Sequence, residues 1–246
     1  MMKQTIFEII ENVPLTSSVF KMLLKGDTDD ITAPGQFVNI KLDGLFLRRP
    51  ISVCDCENGI LTLVYKVVGK GTEKMCGMKA GEKLDILTGL GNGYDLEKSG
   101  DTPLLLGGGV GVPPLYMLAK ELIKKGKKVS VILGFNTKEE IFYQEEFKAL
   151  GAQVDVTTVD GSYGTRGFVT DAMKDKEYSY FYTCGPEPML KAIYSASRTS
   201  GQFSFEERMG CGFGACMGCS CHTVTGYKRI CKDGPVLEKE EILWEK

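Results

Sequence analysis

Histidine, tryptophan and long apolar runs are what this 246-residue chain has least of: it carries one His and one Trp. The single His222 cannot supply a metal centre that needs a histidine pair on one ion, which excludes a Rieske-type cluster. A basic excess is missing too. Thirty Lys and Arg against 32 Asp and Glu give a net charge of -2, which argues against a nucleic-acid-binding surface. The most apolar stretch, Leu104 to Ala119, is broken by glycines and by Pro113-Pro114 and does not suit a membrane span. The N-terminal Met-Met-Lys-Gln-Thr-Ile-Phe-Glu lacks the apolar segment of an export signal. A cytoplasmic protein that engages neither membrane nor nucleic acid is expected.

Cysteine is what the chain does have, nine in all. An odd count with several residues grouped suits a reducing compartment better than a disulfide framework. Cys211, Cys216, Cys219 and Cys231 reproduce the C-x4-C-x2-C…C spacing that holds a plant-type [2Fe-2S] cluster. Thiolates are soft ligands suited to iron and sulfide, and Gly212, Gly214 and Gly218 let the backbone wrap closely around the core. A structural zinc site is the competing reading, although zinc sites usually show two short Cys pairs and this spacing is asymmetric. Cys221 competes with Cys219 as third ligand; spacing favours Cys219. The remaining Cys54, Cys56, Cys76 and Cys184 read as small buried hydrophobes.

From Thr5 to about Leu96 short strands (6–9, 36–40 and 61–68) alternate with Gly- and Asp-containing turns, the pattern of a small antiparallel β-barrel. The polar Glu97 to Thr102 marks a change of grammar. After it come a strand at 104–106, a helix entered at Pro113-Pro114, strands near 129–133, 154–158 and 180–183, and helices near 144–150 and 188–200. Leu115, Leu118, Ala119, Leu122 and Ile123 mark the buried face of the first helix. Repeated β-α units imply a doubly wound parallel α/β sheet with helices on both faces. The expected division is 1–98, a barrel; 99–202, an α/β nucleotide-binding domain; and 203–246, a small C-terminal cluster module.

In such a sheet ligands sit beyond the carboxyl ends of the strands, where a glycine-rich turn admits a pyrophosphate to backbone amides. Leu106 to Pro114, containing Gly108, Gly109, Gly111 and Pro113, has that form, and Cys184-Gly185-Pro186-Glu187-Pro188-Met189 follows another strand end in the same crevice. In the barrel, Arg48-Arg49-Pro50-Ile51-Ser52 sets two guanidinium groups beside a small hydroxyl, a combination suited to a pyrophosphate near a redox ring. Gly69-Lys70-Gly71-Thr72 reads either as a phosphate-wrapping turn or as a turn alone. The segment Gly134 to Glu140 carries no arginine for a 2′-phosphate, which favours NAD, with Lys138 as a reservation.

Taken in order, Arg-Pro-Ile-Ser, Gly-Lys-Gly-Thr, Leu-Gly-Gly-Gly-Val-Gly-Val-Pro-Pro, Cys-Gly-Pro-Glu-Pro-Met and Cys-Gly-Phe-Gly-Ala-Cys-Met-Gly-Cys resemble the ferredoxin-NADP reductase superfamily over nearly the whole chain. The cluster motif, with Cys-Lys-Asp-Gly-Pro-Val from Cys231, narrows the resemblance to the electron-transfer subunits of NAD-linked (type B) dihydroorotate dehydrogenases. That resemblance implies that Arg49, with Pro50 and Ile51, binds the FAD pyrophosphate and that Ser52 approaches the flavin N5. Val64, Tyr65, Lys66, Gly71 and Thr72 complete the FAD site. Gly108 to Pro113 and Cys184 to Met189 hold NAD(H). It also implies an FMN-containing catalytic partner in a heterotetramer with two copies of each subunit, and no acid-base or nucleophilic residue on this chain. Superfamily members that end in an aromatic residue use it to cover the flavin; here the cluster module follows, and Trp244 cannot be given that role. The rival oxidoreductase reading is an NAD(P)H-oxidising subunit of the anaerobic sulfite reductase or soluble hydrogenase type. A regulatory protein with a zinc-stabilised tail is the rival from another class.

Overall fold

Alternation with period two begins the fold: Phe7 and Ile9 point inward while Glu8 and the exposed Ile6 and Ile10 point out. The computed structural model describes residues 2–244. Strands β1 (Lys3–Pro14), β2 (Val19–Lys25), β3 (Phe37–Lys41), β4 (Arg49–Glu57), β5 (Ile60–Lys66) and β6 (Lys83–Leu90) close into an antiparallel barrel of order β1-β2-β5-β4-β3-β6. Asn58 and Gly59, both at positive φ (52 and 74°), turn β4 into β5 as a tight hairpin, because that turn requires left-handed backbone at both central positions. Between β5 and β6 the expected Gly69–Thr72 turn opens helix α1 (Lys70–Cys76). The Thr72 hydroxyl accepts from the amides of Val68 and Gly69 at 2.9 and 3.3 Å and so fixes that start.

The second sheet contains β7 (Leu104–Gly108), β8 (Ser130–Phe135), β9 (Gln153–Thr158), β10 (Thr165–Arg166), β11 (Phe181–Cys184), β12 (Gly201–Ser204) and a late strand, β15 (Val236–Glu238). The order is β10-β9-β8-β7-β11-β12-β15. Helices α2 (Pro114–Lys124), α3 (Gln144–Ala149), α4 (Val169–Met173) and α5 (Glu187–Ala196) cover it. Leu105, Val131, Leu133 and Tyr182 share one core with Leu115, Leu118 and Phe147, while Leu104, Leu106, Ile132 and Phe181 share the other with Val169, Leu190 and Ile193. Both faces of the strands are therefore apolar, as a parallel sheet between helix layers requires.

Two expectations need correction. The last helix ends at Ala196 rather than near Ser200, because Ser197 turns to extended backbone (φ -71°, ψ 136°) and releases Gly201–Ser204 as a strand. The sheet is not wholly parallel either: β15 pairs antiparallel with β12, so the chain returns to this sheet after the cysteine loop. Strand β12 consequently runs across the expected division at 202/203. The hairpin β13 (Ser220–Thr223) and β14 (Gly226–Arg229) completes the C-terminal part. Among the described residues no helix is long and apolar enough to cross a membrane.

Barrel and sheet are joined by Lys120 of α2, whose ammonium contacts Asp55 on β4 at 2.9 Å and Glu57 at 2.7 Å. Burial opposes its charge, but the hydrogen bonds to Glu57 and Asp55 outweigh this and hold its pKa above the usual lysine range. Lys120→Ala leaves Asp55, 19 % exposed, without its cation. We expect a loss of about 1–2 kcal/mol, less than for a fully buried pair. Thermal unfolding should fall by roughly 3–6 °C; an unchanged melting temperature would contradict this role for the bridge.

Candidate redox-cofactor sites

Strand β4 carries the barrel motif to the rim facing the second sheet. Arg49, Pro50, Ile51 and Ser52 line a cavity of about 270 Å³, together with Val64, Tyr65 and Lys66 from β5 and Thr72 from α1. Gly71 is not on its wall; it lies under Arg49, where an added Cβ would sit 2.1 Å from the guanidinium Nε. Two separate motifs thus meet because one residue has no side chain. Only one of the two expected guanidiniums faces the cavity. Arg48 turns away, pairing with Asp85 at 2.9 Å and donating to the carbonyl of Asn39 at 3.2 Å. Arg49 donates to its neighbours' carbonyls at Leu47 and Arg48 and remains at the cavity wall. The Tyr65 hydroxyl is engaged elsewhere, donating to Asn12 at 2.9 Å.

A larger cavity of about 610 Å³ adjoins the first, lined by Gly108, Gly109 and Gly111 from the turn after β7 and by Gly185, Pro186 and Met189 from the start of α5. The two turns close on each other. A Cβ on Gly108 would stand 2.5 Å from the Met189 sulfur, and one on Gly111 would stand 2.2 Å from the Cys184 carbonyl oxygen. Their approach is held by the parallel pairing of β7 and β11 and by the Thr183 hydroxyl donating to the Leu106 carbonyl at 2.9 Å. Pro113 lines neither cavity and precedes α2 as its N-cap. Cys184 lines the smaller one; burial pushes its thiol up to about 12, which keeps it protonated.

Two functional candidates were not singled out from sequence. Glu206 lines both cavities at their junction, just beyond β12. Glu140 lines the larger one, its carboxylate accepting from the amide and side chain of Asn136 at 3.1 and 2.9 Å. An acidic residue soon after the second strand was the available signal for Glu140.

The cysteine loop begins beside the smaller cavity, where Met209 lines its wall. The thiols of Cys211 and Cys216 are neighbours, as are those of Cys219 and Cys231. Backbone amides point at sulfur: Ala215 and Cys216 at Cys211 (3.2 and 3.4 Å), Gly218 at Cys216 (3.4 Å) and Cys231 at Cys219 (3.4 Å). Burial disfavours the Cys211 thiolate, but the amides of Phe213, Cys216 and Ala215 and the Cys216 thiol outweigh it and bring its pKa down to about 6. Arg229 grips Asp233 and donates to the Gly214 carbonyl at 2.9 Å, fixing the loop against β14. Cys221 sits on β13 opposite Lys228 and packs against the core that holds Cys219 and Cys231, a neighbour of the thiol pairs rather than a member of either. Among the described residues, no three His, Cys, Asp or Glu side chains are grouped to hold a single metal ion. The two thiol pairs, with amides directed at their sulfurs, carry the donor chemistry that a [2Fe-2S] cluster needs.

Comparisons with known proteins agree with this geometry. Residues 206–243 match the iron-sulfur cluster binding domain of dihydroorotate dehydrogenase B, and residues 105–195 match the oxidoreductase NAD-binding domain. The chain is 46% identical to the dihydroorotate dehydrogenase B (NAD(+)) electron transfer subunit of Fusobacterium nucleatum, over 94% of this chain and 95% of that protein. The corresponding subunit of a Geobacillus species is 43% identical over 99% of this chain and all of its own. Among solved structures, the NADH-dependent reduced ferredoxin-NADP oxidoreductase superposes with a TM-score of 0.88 at 32% identity, over 97% of this chain and 90% of that one. The Neisseria gonorrhoeae ferredoxin NADP+ reductase with bound FAD and NADP shares the fold at a TM-score of 0.70 and 18% identity, over 79% and 90%. The chain belongs to the family of dihydroorotate dehydrogenase B (NAD(+)) electron transfer subunits.

Proposed function

We propose that this chain carries electrons between NAD+ and an FMN-containing dihydroorotate-oxidising subunit, in the formation of pyrimidine nucleotides. The observation that carries this reading is continuity: the two cavities share Lys66, Gly111 and Glu206, and Phe37 on the wall of the smaller one packs in the same core as Cys219 and Cys231. When bound, FAD exchanges a hydride with the nicotinamide and single electrons with the cluster. The chain's own residues bind and orient. Arg49 meets the flavin pyrophosphate with a permanent charge, and Ser52 offers a hydroxyl to the ring. Gly71 makes room for Arg49, and Thr72 holds the start of α1. Pro50, Ile51, Val64 and Tyr65 form a wall that excludes water, and Lys66 stands where the cavities join.

Gly108, Gly109 and Gly111 admit the NAD pyrophosphate to the backbone, with Gly185, Pro186 and Met189 opposite. Pro113 sets the first turn of α2 behind them. Cys184 stays a neutral thiol, so no nucleophile is placed there. Cys211, Cys216, Cys219 and Cys231 would hold the cluster, with their thiolates as its ligands. The three-part division at 98 and 202 describes which cofactor each part serves. A heterotetramer of two copies of each subunit, working in the cytoplasm, completes the reading. The net charge of -2 supports the absence of a nucleic-acid partner.

The test is reconstitution: anaerobic mixing with an FMN-containing catalytic subunit should give dihydroorotate-dependent NAD+ reduction that neither subunit gives alone. No coupling, but productive pairing with a haem- or nickel-containing enzyme, would support the sulfite reductase or hydrogenase reading.

Glu140 accounts for a preference for NAD, since a carboxylate on the wall of the larger cavity accepts from a ribose hydroxyl and repels a 2′-phosphate. In Glu140→Gln the NADH-over-NADPH ratio of kcat/KM should fall about tenfold, or about 1.4 kcal/mol. An unchanged ratio would assign discrimination elsewhere.

A further inference from the structure

Asn39 is an anomaly in strand β3. Its neighbours Phe37, Val38 and Ile40 are buried hydrophobes, and Asn39 is itself 1 % exposed. An apolar residue is the ordinary occupant of such a position, and a buried amide with an unmet group needs a reason. The Asn39 Oδ1 is buried without a hydrogen-bond partner, so the side chain is not there to complete a polar network. Its Nδ2 donates at 3.2 Å to the carbonyl of Cys211, 172 residues away in sequence. Gly212 accepts this approach at φ +77°, where an added Cβ would sit 2.2 Å from Nδ2. Asn39 also pairs with Pro50 of the flavin-facing segment, and its carbonyl takes the donation from Arg48. One residue thus touches both the strand that cradles the flavin and the backbone of the first cluster ligand.

We propose that Asn39 is a positioning residue that ties the cluster loop to the flavin barrel and sets the separation across which electrons pass between the two centres. The inference rests on the cofactor assignment above. A side-chain amide fits the task because it is short, rigid in the packed strand, and donates to the main chain of Cys211 without competing for its sulfur. Electron transfer between two centres weakens steeply with their separation, so a loop released from this hydrogen bond passes electrons more slowly.

The test uses full-length holoprotein, wild type against Asn39→Asp, which keeps the shape and loses the donor, and Asn39→Leu, which removes the polar group. FAD and iron are quantified, the cluster's midpoint potential is measured, and anaerobic stopped-flow with NADH follows flavin and cluster separately. Both variants should keep FAD and reduce it at the wild-type rate, while cluster reduction slows severalfold; the cluster potential should also shift. A cluster lost from both variants with FAD retained would support the tether in a stronger form. Wild-type cluster kinetics and potential in both variants would overturn the proposal, as would equal slowing of the flavin and cluster phases. If wild-type protein itself bound no FAD or no cluster, the cofactor assignment would fail instead.

Discussion

Cys219→Ser should abolish the iron-sulfur absorption and every cluster-dependent electron transfer, while FAD content and the direct oxidation of NADH by artificial acceptors survive. Cys219 is 3 % exposed, is paired with Cys231, and receives the Cys231 amide on its sulfur. A serine oxygen is harder and shorter than the thiolate, and a four-ligand cluster has no spare ligand. Cys221→Ser should keep the cluster at full occupancy, because the C-x4-C-x2-C spacing assigns the third ligand to Cys219 and leaves Cys221 as its neighbour on β13. The measurement is iron and sulfide per chain with the visible and EPR spectra of both variants. A cluster retained in Cys219→Ser and lost in Cys221→Ser would reverse the ligand assignment. The barrel should fold in either case, since its core comes from other residues such as Phe7, Val38 and Leu63.

The second large effect is expected at Gly111. Its added Cβ would meet the Cys184 carbonyl oxygen at 2.2 Å, the Cys184 carbonyl carbon at 2.4 Å and the Gly185 Cα at 2.6 Å. All three are backbone atoms, so no rotamer change relieves the clash, and the two turns proposed to hold the nicotinamide cofactor must separate. Overpacking of this kind costs about 1–3 kcal/mol. Most of that should be lost from cofactor binding, raising the KM for NADH by roughly five- to a hundredfold in Gly111→Ala. Cluster content should stay at wild-type levels, because the changed contact lies between the turns and not in the cysteine loop; FAD content is measured beside it, since Gly111 and Cys184 also line the smaller cavity. An unchanged KM would mean that the crevice opens freely and that the close approach has no part in binding.

The cluster cysteines and the glycine turns were legible in the sequence because their chemistry is local: a fixed spacing of thiols, or glycine where backbone must approach backbone. The barrel strands were visible by alternation and the first helix by its apolar face. What escaped was decided by distant parts of the chain. Strand β15 has three residues and gains its identity from pairing with β12, a contact across the whole cysteine loop. Arg48 and Arg49 look equivalent in sequence, and only the position of Asp85 on β6 draws the first away from the cavity. Glu206 follows an ordinary strand, and its place between two cavities depends on how the barrel docks. Asn39 looked like a routine polar residue in a strand until the loop carrying Cys211 was laid across it.

The most direct test is an anaerobic titration of the purified protein with NADH, following the visible spectrum after iron, sulfide and extracted flavin have been quantified. FAD and a [2Fe-2S] cluster are expected in about equal amounts, both bleached by NADH. A colourless, zinc-containing protein without flavin would contradict it.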